Sequence, residues 1–238
     1  MLIVLSLFAA ACGESLNRTG GDRPAENSSR DDLPTGIRFD PAGWETDFSN
    51  ASVDLSEFLS GGPPRDGIPP VDDPRFRPVS DEENLSDAEP VVAVALAGET
   101  PRANPIQILI WHEIVNDRIG GRNVAVTFCP LCNTAVVFDR VVDGRELTFG
   151  TTGNLRRSDL VMWDRQTESW WQQFSGEALV GELTGTTLDI VPSQLISWGD
   201  FIERFPQGEV LTRETGNARN YGMNPYQGYD ELLSLIHI

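Results

Sequence analysis

Apolar residues recur at helical spacing between positions 105 and 118. Pro105 suits the first turn of a helix because a proline needs no amide partner there, and Gly120 and Gly121 end the pattern. At about 100° per residue, the apolar side chains cover two opposite faces, with Ile106, Leu109, Ile110 and Ile114 on one and Ile108, Trp111 and Val115 on the other. A helix that is apolar on two faces is buried. The pattern therefore predicts a buried helix over about 105–118.

The rest of the pattern is typical of strands. Short β-branched and aromatic runs follow the helix, and turn pairs such as Asp143-Gly144 separate several of them. A second, short amphipathic helix is predicted over about 197–205. The expected strands are 91–97, 123–128, 134–142, 146–151, 160–164, 169–174, 178–183 and 187–191. The fold class is therefore α+β, predominantly antiparallel β, with the buried helix 105–118 and the short helix 197–205.

The first twelve residues form an apolar run that ends in three alanines and Cys12. It is too short to span a bilayer as a helix and resembles a lipoprotein signal, in which cleavage leaves a cysteine to be acylated. An ordinary signal peptide and a buried apolar N-terminus are the alternatives. We expect residues 1–11 to be removed and Cys12 to carry the lipid. Residues 12–36 contain almost no apolar side chains and predict a flexible tether.

Residues 37–232 are expected to form a single domain. Its part 43–90 is rich in Pro, Gly and Asp and predicts an irregular segment that wraps a core over 91–213. The last six residues, 233–238, follow a loop without any capping residue and match one reading frame of a sequencing-transposon end. They are expected to be adapter read-through that includes His237, so that the natural chain is truncated here and His112 is its one reliable histidine.

Composition limits the functions that remain. The sequence carries 36 acidic and 18 basic side chains, a net charge of −18, which argues against nucleic acid as a partner. All 18 basic residues are arginine. The lack of lysine excludes Schiff-base, pyridoxal and P-loop nucleotide chemistry.

Chemistry is concentrated in Cys129-Pro130-Leu131-Cys132. This spacing brings two sulfurs onto one turn and suits a structural disulfide, a dithiol redox couple or two thiolate ligands of a soft metal such as zinc or copper. A strand pattern follows the second cysteine, whereas a thioredoxin-type pair precedes a helix. The pair therefore predicts a turn between two strands.

The predicted helix 105–118 supplies the other candidates. A lone His112 on a buried helix is commonly a satisfied core residue, but Glu113, Asn116 and Asp117 add polar groups that need partners when buried. We hypothesise that this helix and the cysteine turn face one site. Either Cys129 and His112 form a nucleophile and base pair, or Cys129, Cys132 and His112 bind a metal, with Glu113 or Asp117 completing the ligand set.

Several stretches together resemble the family known as domain of unknown function 3179. They lie between about 43 and 230 and are Asp66-Gly67-Ile68-Pro69, Pro105–Leu109, Trp111–Asp117, Cys129–Ala135, Phe149-Gly150, Gly153–Leu155, Ser158–Met162, Asp164-Arg165, Thr167–Ser169 and Tyr221–Tyr226. The resemblance implies that the histidine segment and the cysteine turn belong to one signature. It implies no reaction.

These observations predict an extracytoplasmic lipoprotein whose partner is the cell membrane, reached through the lipid on Cys12. Its predicted activity is metal binding or thiol redox chemistry at Cys129, Cys132 and His112. The alternative is a non-catalytic binding or scaffold module of the envelope with a structural Cys129–Cys132 disulfide.

Overall fold

Strands make up most of the regular structure in the computed structural model, which describes residues 36–227. The two helices are α1 (Ile106–His112) and α2 (Trp198–Arg204). In chain order the strands are β1 (Phe58–Ser60), β2 (Phe76–Pro78), β3 (Pro90–Val94), β4 (Arg102–Pro105), β5 (Ile114–Ile119), β6 (Arg122–Cys129), β7 (Thr134–Asp139), β8 (Val141–Val142), β9 (Arg145–Glu146), β10 (Phe149–Arg156), β11 (Asp159–Asp164), β12 (Trp170–Gln172), β13 (Ala178–Val180), β14 (Ser193–Ser197) and β15 (Glu209–Leu211).

Some predictions fall outside the described residues. These are the signal peptide over 1–11, lipidation of Cys12, the tether over 12–36 except Gly36, and the read-through over 233–238. Between residues 36 and 227 no helix has the length and apolar character needed to cross a membrane.

The strands form four sheets in the described part of the chain. One five-stranded sheet has the order β1-β10-β11-β12-β13, and a second has the order β14-β3-β4-β15-β2. Strands β5, β6 and β7 form a three-stranded sheet, and β8 pairs with β9. All neighbours are antiparallel except β4 and β15. The predicted fold class, α+β with mostly antiparallel strands, is confirmed.

The three-stranded sheet is buried on both faces. Along β6, Val124, Val126 and Phe128 pack into one apolar cluster, which also contains Leu109 of α1. The intervening residues Ala125 and Cys129 face a second cluster. Because side chains alternate between the faces of a strand, β6 separates α1 from the sheet that contains β10 and β11. This arrangement places Cys129 against β11.

The first helix is shorter than predicted. It ends at His112, and Glu113 adopts a left-handed conformation with φ 59°. The chain then continues as β5, in which Ile114 pairs with Thr127 of β6. The apolar spacing of 105–118 suits a helix, but β-branched Ile114 and Val115 also suit a strand, and pairing with β6 decides the outcome. His112 and Asn116 therefore do not share a helix face, nor do Glu113 and Asp117.

Most other predicted elements are present. Strands lie within or across the runs 91–97, 123–128, 134–142, 146–151, 160–164, 169–174 and 178–183. Helix α2 lies within 197–205 and is capped by Ser197, whose hydroxyl accepts a hydrogen bond from the Asp200 amide. The run 187–191 instead makes single bridges, from Thr187 to Glu177 and from Ile190 to Phe138.

Candidate functional site

The cysteine pair lies in the hairpin between β6 and β7. Cys129 is the last residue of β6 and pairs with Thr134, the first residue of β7. The connecting turn needs the left-handed conformation of Asn133, φ 50°, which asparagine tolerates better than most residues. The predicted strand–turn–strand context is therefore present. Both thiols are free, and Cys132 is exposed whereas Cys129 is buried.

A third group comes from the hairpin between β10 and β11. Its two turn residues, Arg157 and Ser158, both have positive φ, as a tight hairpin turn of this type requires. Asp159 follows as the first residue of β11. Its Oδ2 atom accepts hydrogen bonds from Nε2 of Gln172 and from the backbone amide of Phe174 (2.9 Å). These two donors fix the carboxylate and leave Oδ1 for another partner.

The two hairpins meet at this carboxylate. The Cys132 thiol donates to Oδ1 of Asp159 across 3.3 Å, and the Cys129 thiol lies 3.9 Å from the carbonyl oxygen of Ser158. One ligand atom each from Cys129, Cys132 and Asp159 lies within 4.8 Å of the others. Two soft sulfurs and one oxygen are thus gathered at a single point.

The surroundings of the two thiols shift their pKa values in opposite directions. A hydrogen bond with Cys129 lowers the pKa of the Cys132 thiol, whereas the same hydrogen bond and burial raise the pKa of the Cys129 thiol. The negative charge of Asp159 acts to raise the pKa of both thiols. Cys132 therefore loses its proton first. Both thiols would have to lose their protons to act as metal ligands, and a bound cation would offset the resulting negative charge.

A pocket of about 510 Å³ opens beside this cluster. Cys132 and Asp159 lie in its lining, together with Arg156, Arg157 and Phe174. The cluster is consequently accessible from one side to a small molecule.

His112 is held by other partners. Its Nδ1 lies 2.7 Å from the carbonyl oxygen of Pro69, and its Nε2 lies 2.7 Å from the hydroxyl of Tyr221. Burial lowers the pKa of His112 and so favours its neutral ring. Nδ1 then donates a hydrogen bond to the Pro69 carbonyl oxygen, and Nε2 accepts one from the Tyr221 hydroxyl. Within residues 36–227 His112 is not part of the ligand group formed by the cysteines.

The two predicted carboxylate ligands have different surroundings. Glu113 is buried and accepts a hydrogen bond from the Tyr226 hydroxyl at 2.7 Å. Burial raises the pKa of Glu113 to about 7, and the negative charge of Asp159 adds to this shift. Glu113 is therefore close enough to Asp159 to interact with it electrostatically. Asp117 instead forms an ion pair with Arg102 at 2.5 Å. The structure thus groups two of the five predicted ligands, Cys129 and Cys132, and adds Asp159.

Asp159 was not among the predicted ligands. It lies 27 positions after Cys132, and only the docking of two hairpins brings the residues together. A signal was nevertheless present, because Ser158-Asp159-Leu160 is one of the stretches that carry the family resemblance.

Comparison with known proteins agrees with that resemblance. Residues 65–237 match the family described as "Protein of unknown function (DUF3179)". No curated protein and no solved structure matches the chain. The matched region contains α1, both site hairpins and well over half of the sequence. The chain therefore belongs to the DUF3179 family.

Proposed function

We propose that this protein binds a single zinc ion through Cys129, Cys132 and Asp159. The observation that carries the proposal is the convergence of two sulfurs and one carboxylate oxygen within 4.8 Å of one another. Thiolate and carboxylate are both common zinc ligands, and sites with three protein ligands leave a further position for water or substrate.

The surroundings of Asp159 support a metal site. A ligand must be oriented before the ion arrives, and outer hydrogen bonds supply that orientation. Gln172 and the Phe174 amide both hold Oδ2, so Oδ1 points to the sulfurs without a competing donor from these groups. A bound cation would replace the thiol proton that Cys132 now shares with Oδ1 of Asp159.

The donor set favours zinc over copper. Copper(I) prefers soft sulfur ligands, whereas zinc is borderline and accepts thiolate and carboxylate together. A bound zinc ion would act as a Lewis acid toward a molecule in the adjoining pocket. The chain would hold the ion with Cys129, Cys132 and Asp159, and the pocket would admit the molecule.

Metal analysis of the full chain tests this proposal. After equilibrium dialysis against zinc we expect one zinc ion per chain. Asp159→Asn and Gln172→Ala should each weaken zinc binding at least about tenfold, because both ligands and their orienting partners contribute at this level. Cys132→Ser should weaken it more.

Matched substitutions elsewhere control for a general effect of losing a cysteine or a carboxylate. Cys12→Ser removes the third cysteine of the sequence, and Asp143→Asn changes an exposed turn residue. Both should retain one zinc ion per chain. Wild-type protein that retains no zinc, or equal zinc in all variants, contradicts the proposal.

A thiol redox function is the second candidate, and the exposure of Cys132 above a buried Cys129 favours it. The Cys132 thiolate would attack one sulfur of a substrate disulfide and release one substrate thiolate. Cys129 would then lose its proton and attack Cys132, forming the Cys129–Cys132 disulfide and releasing the second substrate thiol. The chain is oxidised and the substrate is reduced by two electrons.

Reaction with iodoacetamide under native, metal-free conditions separates these candidates from the scaffold alternative. Cleavage after Arg122 and Arg140 places both cysteines on one peptide, whose fragmentation locates the label. Faster labelling of Cys132 than of Cys129 is expected for free thiols of unequal exposure. Zinc should protect both thiols if the metal proposal holds. A disulfide that forms reversibly without zinc binding would favour redox function, and one that resists reductant would favour the scaffold.

We also propose that the chain is extracytoplasmic and anchored to the membrane through a lipid on Cys12. The apolar run that ends in Ala-Ala-Ala-Cys supports this proposal. Metabolic labelling with palmitate should mark the wild-type protein and not Cys12→Ser, and an unlabelled wild type would contradict the anchor.

A further inference from the structure

The pocket beside the cluster has walls of three kinds. Val53, Phe174 and Leu179 form an apolar wall, Arg156 and Arg157 supply positive charge, and Glu177 supplies negative charge. Its volume of about 510 Å³ lies in the range typical of small-molecule sites. Cavities of this kind combine an apolar surface with a few charged groups that orient the ligand.

The apolar wall includes an exposed aromatic ring. Phe174 is 67% exposed, the highest value among the large apolar residues of the described region. Its backbone amide donates to Asp159 (2.9 Å), so the main chain at this position is fixed while the ring borders the pocket. An aromatic ring held in water next to a cavity provides apolar surface that a ligand would cover.

The two arginines of the positive wall share a single acidic partner. Arg156 and Arg157 share a single carboxylate oxygen, Oε2 of Glu57, at 2.8 and 3.0 Å. Arg157 remains 74% exposed. Two guanidinium groups therefore face one carboxylate, and Arg157 has free donors for an anionic group of a ligand.

The negative group is also available. Within residues 36–227 Glu177 forms no ion pair with an arginine. A ligand that pairs with both Arg157 and Glu177 carries one anionic and one cationic group, as a carboxylate and an ammonium group do. A ligand that also covers Phe174 must carry an apolar side chain.

We infer that this pocket binds a small zwitterion, an α-amino acid with an apolar side chain. Its carboxylate pairs with Arg157, its ammonium group pairs with Glu177, and its side chain packs against Phe174, Leu179 and Val53. The inference goes beyond the proposed metal function and does not depend on it, because these contacts involve none of the three proposed metal ligands.

Calorimetric titration of the full chain with three probes tests the inference. The probes are L-phenylalanine, 3-phenylpropionate, which lacks the ammonium group, and 2-phenylethylamine, which lacks the carboxylate. All titrations are made on chelator-treated protein, so that a failure of zinc binding does not affect the result. L-phenylalanine should bind at least about tenfold more tightly than either analogue, since each lacks one charge-assisted contact.

Substitutions locate the binding site. Arg157→Gln, Glu177→Gln and Phe174→Ser should each weaken binding of L-phenylalanine several-fold to about tenfold. Arg145→Gln and Glu182→Gln are matched controls because these residues form an exposed ion pair with each other. Ile190→Ser is the control for Phe174→Ser, since Ile190 is similarly exposed. The three controls should bind L-phenylalanine as the wild type does.

Two results would overturn the inference. One is equal binding of L-phenylalanine and either analogue, which would show that the pocket does not require a zwitterionic ligand. The other is that L-phenylalanine does not bind, or that its affinity is unchanged by Arg157→Gln, Glu177→Gln and Phe174→Ser. Either result would show that L-phenylalanine does not bind in this pocket. Loss of zinc binding with intact L-phenylalanine binding would contradict the proposed function alone.

Discussion

At the scale of single residues, Glu113 combines three unusual properties. It is buried, its backbone has a positive φ of 59°, and its carboxylate accepts a hydrogen bond from Tyr226. A non-glycine residue in this conformation is uncommon and costs free energy that the surrounding packing must offset. Burial also raises the pKa of Glu113 to about 7 from its ordinary value of 4.5.

This raised pKa makes stability depend on pH. Between pH 4.5 and 7 the folded protein keeps a proton on Glu113 that the unfolded chain has lost, so the free energy of unfolding falls as pH rises through this window. The full effect is about 3 kcal/mol. Glu113→Gln carries no charge at any pH and should escape this loss.

Urea unfolding in the presence of chelator measures the difference. The free energy of unfolding of Glu113→Gln relative to wild type should rise by about 3 kcal/mol between pH 4.5 and pH 8. Glu203→Gln, at an exposed position of α2, should follow the wild-type pH dependence. If the free energy of unfolding of Glu113→Gln and of the wild type changed with pH in parallel, the result would contradict the claim that Glu113 is buried and protonated in the folded protein.

Only part of the candidate site could be predicted from the sequence. The spacing of Cys129 and Cys132 was sufficient to predict paired sulfurs on a turn between strands. Asp159 was not predictable from spacing, because its proximity depends on the packing of two sheets. The separation of His112 from the sulfurs depended on the face of β6 to which each element packs, and a strand's two buried faces look alike in sequence.

At the scale of elements, the β10–β11 hairpin positions Asp159 and depends on one glycine. The register of the two strands shifts between Thr151 and Leu155. Gly153 lies within this shift at φ +75°, and a Cβ atom there would overlap the backbone carbonyl of Pro63. The amide of Gly61 also donates to the Gly153 carbonyl at 2.8 Å. Both glycine properties, positive φ and the missing side chain, are therefore needed.

Gly153→Ala should destabilise the protein by at least about 3 kcal/mol, since left-handed strain adds to a clash with backbone. Gly144→Ala is the matched control because Gly144 has a similar φ of +77°, but a Cβ atom there would meet open space, with nothing beyond its chain neighbours within 4 Å. It should cost only about 1 kcal/mol. Urea unfolding measures both values. Equal costs would show that the approach of Pro63 does not constrain this hairpin.

Helix α1 illustrates why element boundaries were harder to predict than element types. The apolar pattern continues smoothly from 105 to 118, yet the helix ends at His112. Backbone pairing of β5 with β6 extends from Ile114 to Ile119 and burial continues on both faces. Local periodicity therefore could not distinguish a buried helix from a buried strand, and long-range pairing determined the boundary.

At the scale of the whole molecule, the proposed metal site exists only where two sheets meet. Cys129 ends β6 and Cys132 lies in the turn between β6 and β7, whereas Asp159 begins β11 in the sheet that contains β10 and β11. The apolar cluster between them includes Cys129, Phe149, Leu160 and Met162. A metal that binds all three ligands therefore links the two sheets and should stabilise the folded state.

Zinc at 100 times its dissociation constant should raise the free energy of unfolding by about 2.7 kcal/mol, less any contribution from binding to the unfolded chain. Urea unfolding with and without zinc gives this quantity. In Asp159→Asn, zinc retains only the two cysteines, which are close in sequence in any state, so the stabilisation should fall well below the wild-type value. Equal stabilisation of both proteins would place zinc outside the junction of the sheets.

The most direct measurement of the central claim is X-ray absorption at the zinc edge of the zinc-loaded full chain. We predict two sulfur scatterers at about 2.3 Å together with oxygen scatterers at about 2.0–2.2 Å, and loss of one sulfur in Cys132→Ser. A zinc environment without sulfur, or one with sulfur that is unchanged by Cys132→Ser, would contradict binding by Cys129, Cys132 and Asp159.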